Sequence, residues 1–206
     1  MGEASPQEIH AKFVETAQGL SEELAAVIAA TSPLKLTPSQ DIPFPVRLCR
    51  AVAGQQLSVK AAASIWQRVV QSAADQSLMD YFATVPPDAL RSCGLSAAKA
   101  KAIGAIAIAN HANQLDVVTL SQLDHTERTH CLTQIWGVGP WTADMMGIFY
   151  FGAPDIWPDG DTTARKNLEK LTSRRRKTVR TAAHFAPYRS YLALYMWHQA
   201  DAPPVL

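Results

Sequence analysis

The stretch Leu132-Thr133-Gln134-Ile135-Trp136-Gly137-Val138-Gly139-Pro140-Trp141-Thr142-Ala143-Asp144 places two glycines around one apolar residue, and its reading governs how the chain on either side must run. Glycine lets a backbone turn sharply and leaves amide hydrogens uncovered, while the Val138 side chain is suited to tuck between flanking helices. Pro140 fits the first residue of a helix, where its missing N–H would have no intrahelical partner anyway. Two helices therefore meet at a tight hairpin. The amides that open the second helix, at the positive end of its dipole, suit a backbone phosphate. Gly137, Val138, Gly139, Trp141 and Thr142 are thus candidate phosphate-binding residues, and the same pattern also fits a hairpin that only joins two core helices.

Outward from the hairpin, apolar residues recur at helical spacing, and no segment alternates with a period of two between turns, so the chain reads as all-α. Ile9, Phe13 and Val14 head a first helix that Gly19 ends; Ser21, with Glu22 and Glu23, starts a second running to about Thr31. A Pro-containing connection from Ser32 to Pro43 leads to a helix carrying Val46, Leu48 and Val52. Gly54-Gln55-Gln56 interrupts it, and Ser58 caps a long helix with Ile65 and Trp66. Helices opened by Pro86-Pro87-Asp88 and by Ser96 come next, then a short amphipathic one from about Thr126 to Ile135 ahead of the hairpin. A loop from Ala153 to Gly160 precedes a helix starting near Asp161, and the last helices follow Thr178 and Pro187. The expected architecture is a bundle of about ten short helices in two packed lobes with a groove between them. The central lobe is expected over about 45–155, and the second from the N-terminal helices with about 156–206.

With 206 residues, 48% hydrophobic and 18% charged, the chain has the apolar material for a real core, which excludes a disordered or fibrous class. The polar opening Met-Gly-Glu-Ala-Ser-Pro and the absence of any apolar run near ~20 residues predict neither a secretory signal nor a membrane span. A soluble intracellular protein is the expectation. Cys49, Cys93 and Cys131 are widely separated among apolar neighbours and read as core thiols; the six histidines show no metal-ligand spacing. Formal net charge is only +1, so any attraction to nucleic acid must come from a local patch. The densest basic stretch is Arg165, Lys166, Lys170, Arg174, Arg175, Arg176, Lys177 and Arg180, readable as a solvated face or as phosphate contacts.

From about residue 40 to 200 the sequence resembles the helix-hairpin-helix DNA glycosylase superfamily, and within it the DNA-3-methyladenine glycosylase II family. The hairpin Gly137-Val138-Gly139-Pro140-Trp141-Thr142-Ala143-Asp144 is similar to that family's, and Trp157-Pro158-Asp159-Gly160-Asp161 is similar to its Pro-rich loop ending in a catalytic aspartate. Gly54-Gln55-Gln56-Leu57-Ser58, Gly94-Leu95-Ser96 with Lys99-Ala100, and Pro187-Tyr188-Arg189-Ser190-Tyr191 with Trp197 agree in the same order.

The resemblance implies a monofunctional glycosylase that flips and excises alkylated purines such as 3-methyladenine from double-stranded DNA, leaving an abasic site. It implies that Asp161 is the catalytic carboxylate, with Asp159 as the rival; from the residues alone, Asp161 ahead of Thr162-Thr163-Ala164 is also a plausible N-cap. An anionic carboxylate beside the sugar would stabilise the positive charge that develops as the base leaves. Strand-cutting members carry a lysine after the hairpin, whose amine forms a Schiff base; Trp141 stands here, so no lyase activity is expected. Trp141, Trp197 and Met145 fall on positions that line the family's base pocket, whereas Tyr150, Trp157 and Tyr195 read more readily as core. Gln55 and Gln56 match the segment that plugs the duplex, with Gln56 favoured as the intercalating residue; a solvated loop would look the same. No cofactor is expected. No four-cysteine cluster is expected either, since Cys131 is the last cysteine. The N-terminal β-rich domain of some members is not expected ahead of the matched region. Members commonly hold a sodium or potassium ion on hairpin carbonyls, which here would be those of Thr133, Ile135 and Val138. A monomer without an obligate protein partner or a membrane association is the expected state. A non-catalytic helix-hairpin-helix DNA-binding protein, or a glycosylase for oxidised or mismatched bases, remains the alternative.

Overall fold

A computed structural model describes residues 4–175 and 177–200. Those residues form thirteen α-helices and one 3-10 turn, with no strand among them. In order the helices are α1 (Pro6–Gln18), α2 (Glu22–Ala30), α3 (Phe44–Gly54), α4 (Val59–Ser72), α5 (Leu78–Thr84), α6 (Pro87–Ser92) and α7 (Ala97–His111). They continue with α8 (Val117–Gln122), α9 (His125–Thr133), α10 (Pro140–Phe149), α11 (Thr162–Leu171), α12 (Thr178–Ala182) and α13 (Arg189–Gln199). None is long and apolar enough to cross a membrane.

Local chemistry sets most of these boundaries. Side-chain oxygens of Ser5, Ser21, Ser58, Ser96, Asp116, Asp124 and Asp161 each accept an amide hydrogen in the first turn of the helix that follows. Such caps satisfy donors that the helix itself cannot, each contributing about 1 kcal/mol. Ser5 with Glu8 and Asp124 with Glu127 close full capping boxes. Two short helices, α5 and α8, were not expected from the sequence; at seven and six residues they span too few turns for an apolar period to emerge. Cys49 and Cys93 are buried, but Cys131 is exposed on α9, which corrects its reading as a core thiol.

The described residues divide into two compact units. Ser39–Met146 is one; residues through Pro38 and from Gly147 onward make the other. Within the first, α7 is the central element, packed against α3, α5 and α6. Its Ala100, Ala102, Ile103, Ile106, Ala107 and Ala109 are all buried; the alanines let neighbouring backbones come close and the two isoleucines fill the core. Within the second, α1 pairs with α2 and α11 with α13. Phe13 meets Phe185 edge to face at 4.9 Å and lies 5.8 Å from the Tyr195 ring. Tyr195 is core, as its sequence context suggested: its hydroxyl bonds His10 Nδ1 at 2.7 Å and accepts the Leu34 amide at 3.4 Å.

Candidate active site

Asp161 is the N-cap of α11, its Oδ1 accepting the Ala164 amide at 2.8 Å. The same oxygen accepts the Trp197 indole N–H at 3.0 Å. The capping role inferred from sequence thus coexists on one carboxylate with a hydrogen bond from Trp197, a residue that the resemblance assigns to the base pocket. Asp161 is 8% exposed and Trp197 3%, so this contact is shielded from bulk water, where a hydrogen bond to a carboxylate is at its strongest. Phe149, at the end of α10, lies 5.6 Å from the Trp197 ring at a tilt of 39° and joins the same cluster. Nothing local in the sequence distinguishes Phe149 from a core aromatic; only the contact does.

The loop that delivers Asp161 is clamped from α13. Ser190 Oγ donates to the Ala153 carbonyl at 2.7 Å and accepts the Ile156 amide at 2.9 Å, while the Ser190 amide donates to the Pro154 carbonyl at 2.9 Å. Arg189 Nε donates to Asp155 Oδ1 at 2.7 Å and its Nη2 to Oδ2 at 3.0 Å. Burial pushes the Asp155 carboxyl upward, but hydrogen bonds from the Arg189 side chain and amide outweigh it and hold Asp155 below the ordinary carboxylate range. Asp159, the rival acid, accepts Thr178 Oγ1–H at 2.7 Å and the Trp157 indole N–H at 3.3 Å, ties that stiffen the loop two residues ahead of Asp161.

In the unit Ser39–Met146, α9 and α10 form the hairpin. The Val138 amide closes on the Ile135 carbonyl at 3.0 Å, and Val138 is buried. That leaves the Ile135 oxygen a second lone pair; it is one of the three carbonyls that the resemblance points to for an alkali cation. The two glycines stand for different reasons. Gly137 has φ +85°, and a Cβ there would overlap the Cβ of Ala102 on α7 and reach 3.3 Å from its Cα. At Gly139 a Cβ would meet nothing within 4 Å. The fold therefore demands Gly137, whereas open space lies where a Gly139 side chain would sit. The first amide bond of α10 runs from Ala143 N to Gly139 O at 3.1 Å, so the leading amides lie outside the helix's own ladder. His125 on α9 and Asp144 on α10 join at 2.9 Å and brace the two helices.

The Gln55-Gln56 turn is held to the same unit from both sides. Lys99 Nζ donates to the carbonyls of Ala53 at 3.0 Å and Gln55 at 2.6 Å, and burial pushes that ammonium below the ordinary lysine range. Gln55 Nε2 donates to Thr142 Oγ1 at 2.9 Å, tying the turn to the start of α10. Gln56 is exposed and sits at φ +58°, a left-handed conformation that costs a non-glycine residue roughly 1–2 kcal/mol. The two glutamines are thus not equivalent: Gln55 is anchored and Gln56 is presented. Thr142 is buried, and its hydroxyl oxygen accepts from Gln55 Nε2. Met145 is fully buried, and Trp141 is half-buried. Both belong to Ser39–Met146, whereas Asp161, Trp197 and Phe149 belong to the other unit.

No protein-family model matches the chain. It is 30% identical over 158 residues to DNA-3-methyladenine glycosylase 1 of Schizosaccharomyces pombe, an overlap covering 73% of this chain and 69% of that relative. The solved DNA-3-methyladenine glycosidase of Bacillus halodurans superposes with a TM-score of 0.77 at 27% identity, over 97% of this chain and 93% of that one. The S. pombe 3-methyladenine DNA glycosylase, solved in complex with abasic DNA, superposes with a TM-score of 0.77 at 24% identity, over 96% of this chain and 98% of that one.

Proposed function

This chain belongs to the DNA-3-methyladenine glycosylase family, and from that premise we propose that it hydrolyses the N-glycosidic bond of alkylated purines in duplex DNA. The observation that carries the reading is the hydrogen bond from Trp197 to Asp161. It fixes an aromatic face beside a carboxylate whose orientation is already set by the start of α11. A base methylated at a ring nitrogen is cationic, so an aromatic face attracts it through the ring quadrupole. Its bond to the sugar is weak enough that a fixed negative group, stabilising the cationic deoxyribose as the base departs, can take the place of a strong general acid. In this scheme Asp161 is the catalytic residue. Trp197 and Phe149 offer the aromatic face for the base, the resemblance also assigns Trp141 and Met145 to base recognition, and Gln56 fills the gap left by the extruded nucleotide while Gln55 holds its turn. The amides after Gly139 take a DNA phosphate, with Gly137 and Val138 shaping the turn.

Trp141 has no amine, so the sugar is not attacked by the protein and the product is an abasic site in an unbroken strand. The protein acts as a monomer in the compartment that holds the genome. Release of 3-methyladenine and 7-methylguanine from methylated DNA tests the scheme. Asp161→Asn is expected to lose at least roughly a hundredfold in single-turnover rate while still binding an abasic duplex. Equal rates in the two proteins would remove Asp161 from the chemistry, and DNA binding without excision in either would make the chain a non-catalytic DNA-binding module.

A further inference from the structure

Between Glu169 and Asp201 the sequence contains no acidic residue and seven basic ones: Lys170, Arg174, Arg175, Arg176, Lys177, Arg180 and Arg189. In a chain of net charge +1 this is a concentrated local field. Arg189 is neutralised by Asp155, and Arg176 lies outside the described residues. Of the others, Arg175, Lys177 and Arg180, with Ser173, line one concavity of about 460 Å³ at the turn between α11 and α12. All four are exposed. Among the described residues no carboxylate forms an ion pair with these three cations. Like charges repel, and long cationic side chains on a surface ordinarily diverge into water or pair with acids. Three of them around one hollow, with a hydroxyl beside them, make a positive site suited to an anion.

This turn is also fastened to the loop of the candidate catalytic carboxylate. Thr178, adjacent to Lys177, is buried and donates through its hydroxyl to Asp159, two residues before Asp161. We propose that Ser173, Arg175, Lys177 and Arg180 form a second grip on the DNA backbone, taking phosphates separately from the hairpin and held in fixed relation to the Asp161 loop by the Thr178–Asp159 bond. The inference rests on the reading of the chain as a DNA glycosylase. The ligand is a DNA phosphodiester rather than a base, because the lining offers cations and one hydroxyl and no aromatic face on which a base could stack.

The test is equilibrium binding to a duplex with a stable abasic-site analogue, measured from about 50 to about 300 mM salt, alongside release of methylated bases by the wild type. Each lost phosphate contact lowers the slope of log K against log salt by about 0.9, so Arg175→Ala/Lys177→Ala/Arg180→Ala is expected to reduce it by about 2.7. Binding near physiological salt is expected to weaken by roughly tenfold or more. Arg175→Lys/Arg180→Lys, which keeps the charge, is expected to retain the wild-type slope. An unchanged slope in the triple variant overturns the second grip, and methyl-base release by the wild type then leaves the glycosylase reading standing. A reduced slope with no release by the wild type overturns that reading and keeps the phosphate site.

Discussion

The two hairpin glycines offer a sharp test, because one sequence motif conceals two physical demands. Replacing Gly137 by alanine puts an L residue at φ +85°, which costs roughly 1–2 kcal/mol. The new Cβ also overlaps Ala102 Cβ and approaches its Cα, an atom of the α7 backbone that cannot swing aside. Overpacking of this kind costs typically about 1–3 kcal/mol, so the total destabilisation is expected at about 2–5 kcal/mol. Gly139→Ala meets no atom within 4 Å and is expected to change stability by less than about 1 kcal/mol. That methyl group would nevertheless occupy the space through which a DNA phosphate reaches the leading amides of α10, so affinity for an abasic duplex is expected to fall roughly tenfold or more. Urea denaturation of both variants, with fluorescence-anisotropy binding under the same conditions, reads the two effects separately. The reasoning is refuted if Gly139→Ala is as unstable as Gly137→Ala, or if it binds DNA with wild-type affinity.

Trp197→Phe keeps an aromatic face but removes the indole donor to Asp161; a hydrogen bond to a charged group contributes about 1.5–3 kcal/mol, so single-turnover excision is expected to slow by roughly tenfold or more. A rate within twofold of wild type would mean that this donor does not position the carboxylate. Asp155 is held below the ordinary carboxylate range by Arg189, so the contribution of the pair to stability is present above the unfolded-state value near ~4 and is lost as pH falls through the lower folded value. Thermal melts of Asp155→Asn are accordingly expected to show a lower Tm than wild type at neutral pH, and a difference that shrinks below about pH 4. A constant difference across the acid limb would argue against this assignment.

What the sequence alone determined is local. A capping oxygen acts within three residues and an apolar period within two or three turns, so Ser21, Ser58, Ser96 and Asp161 announced their helices without reference to the rest of the chain. Gly-Val-Gly-Pro announced a hairpin in the same way. The helical class and the family were legible because such signals recur in a fixed order along the chain. Tertiary structure decided whatever depends on partners distant in sequence. Gly137 is irreplaceable because Ala102 lies against it; Phe149 enters the candidate pocket because Trp197 does; Asp159 serves as a tether because Thr178 returns to it. Lys99 belongs to a segment that the sequence matches to the family but to which it assigns no contact, and only folding aims its ammonium at the carbonyls beneath the Gln55-Gln56 turn. Short-range hydrogen bonds and periodicity are written along the chain, whereas close packing and buried polar contacts exist only once remote segments meet, and the chemistry proposed for Asp161 depends on the second kind.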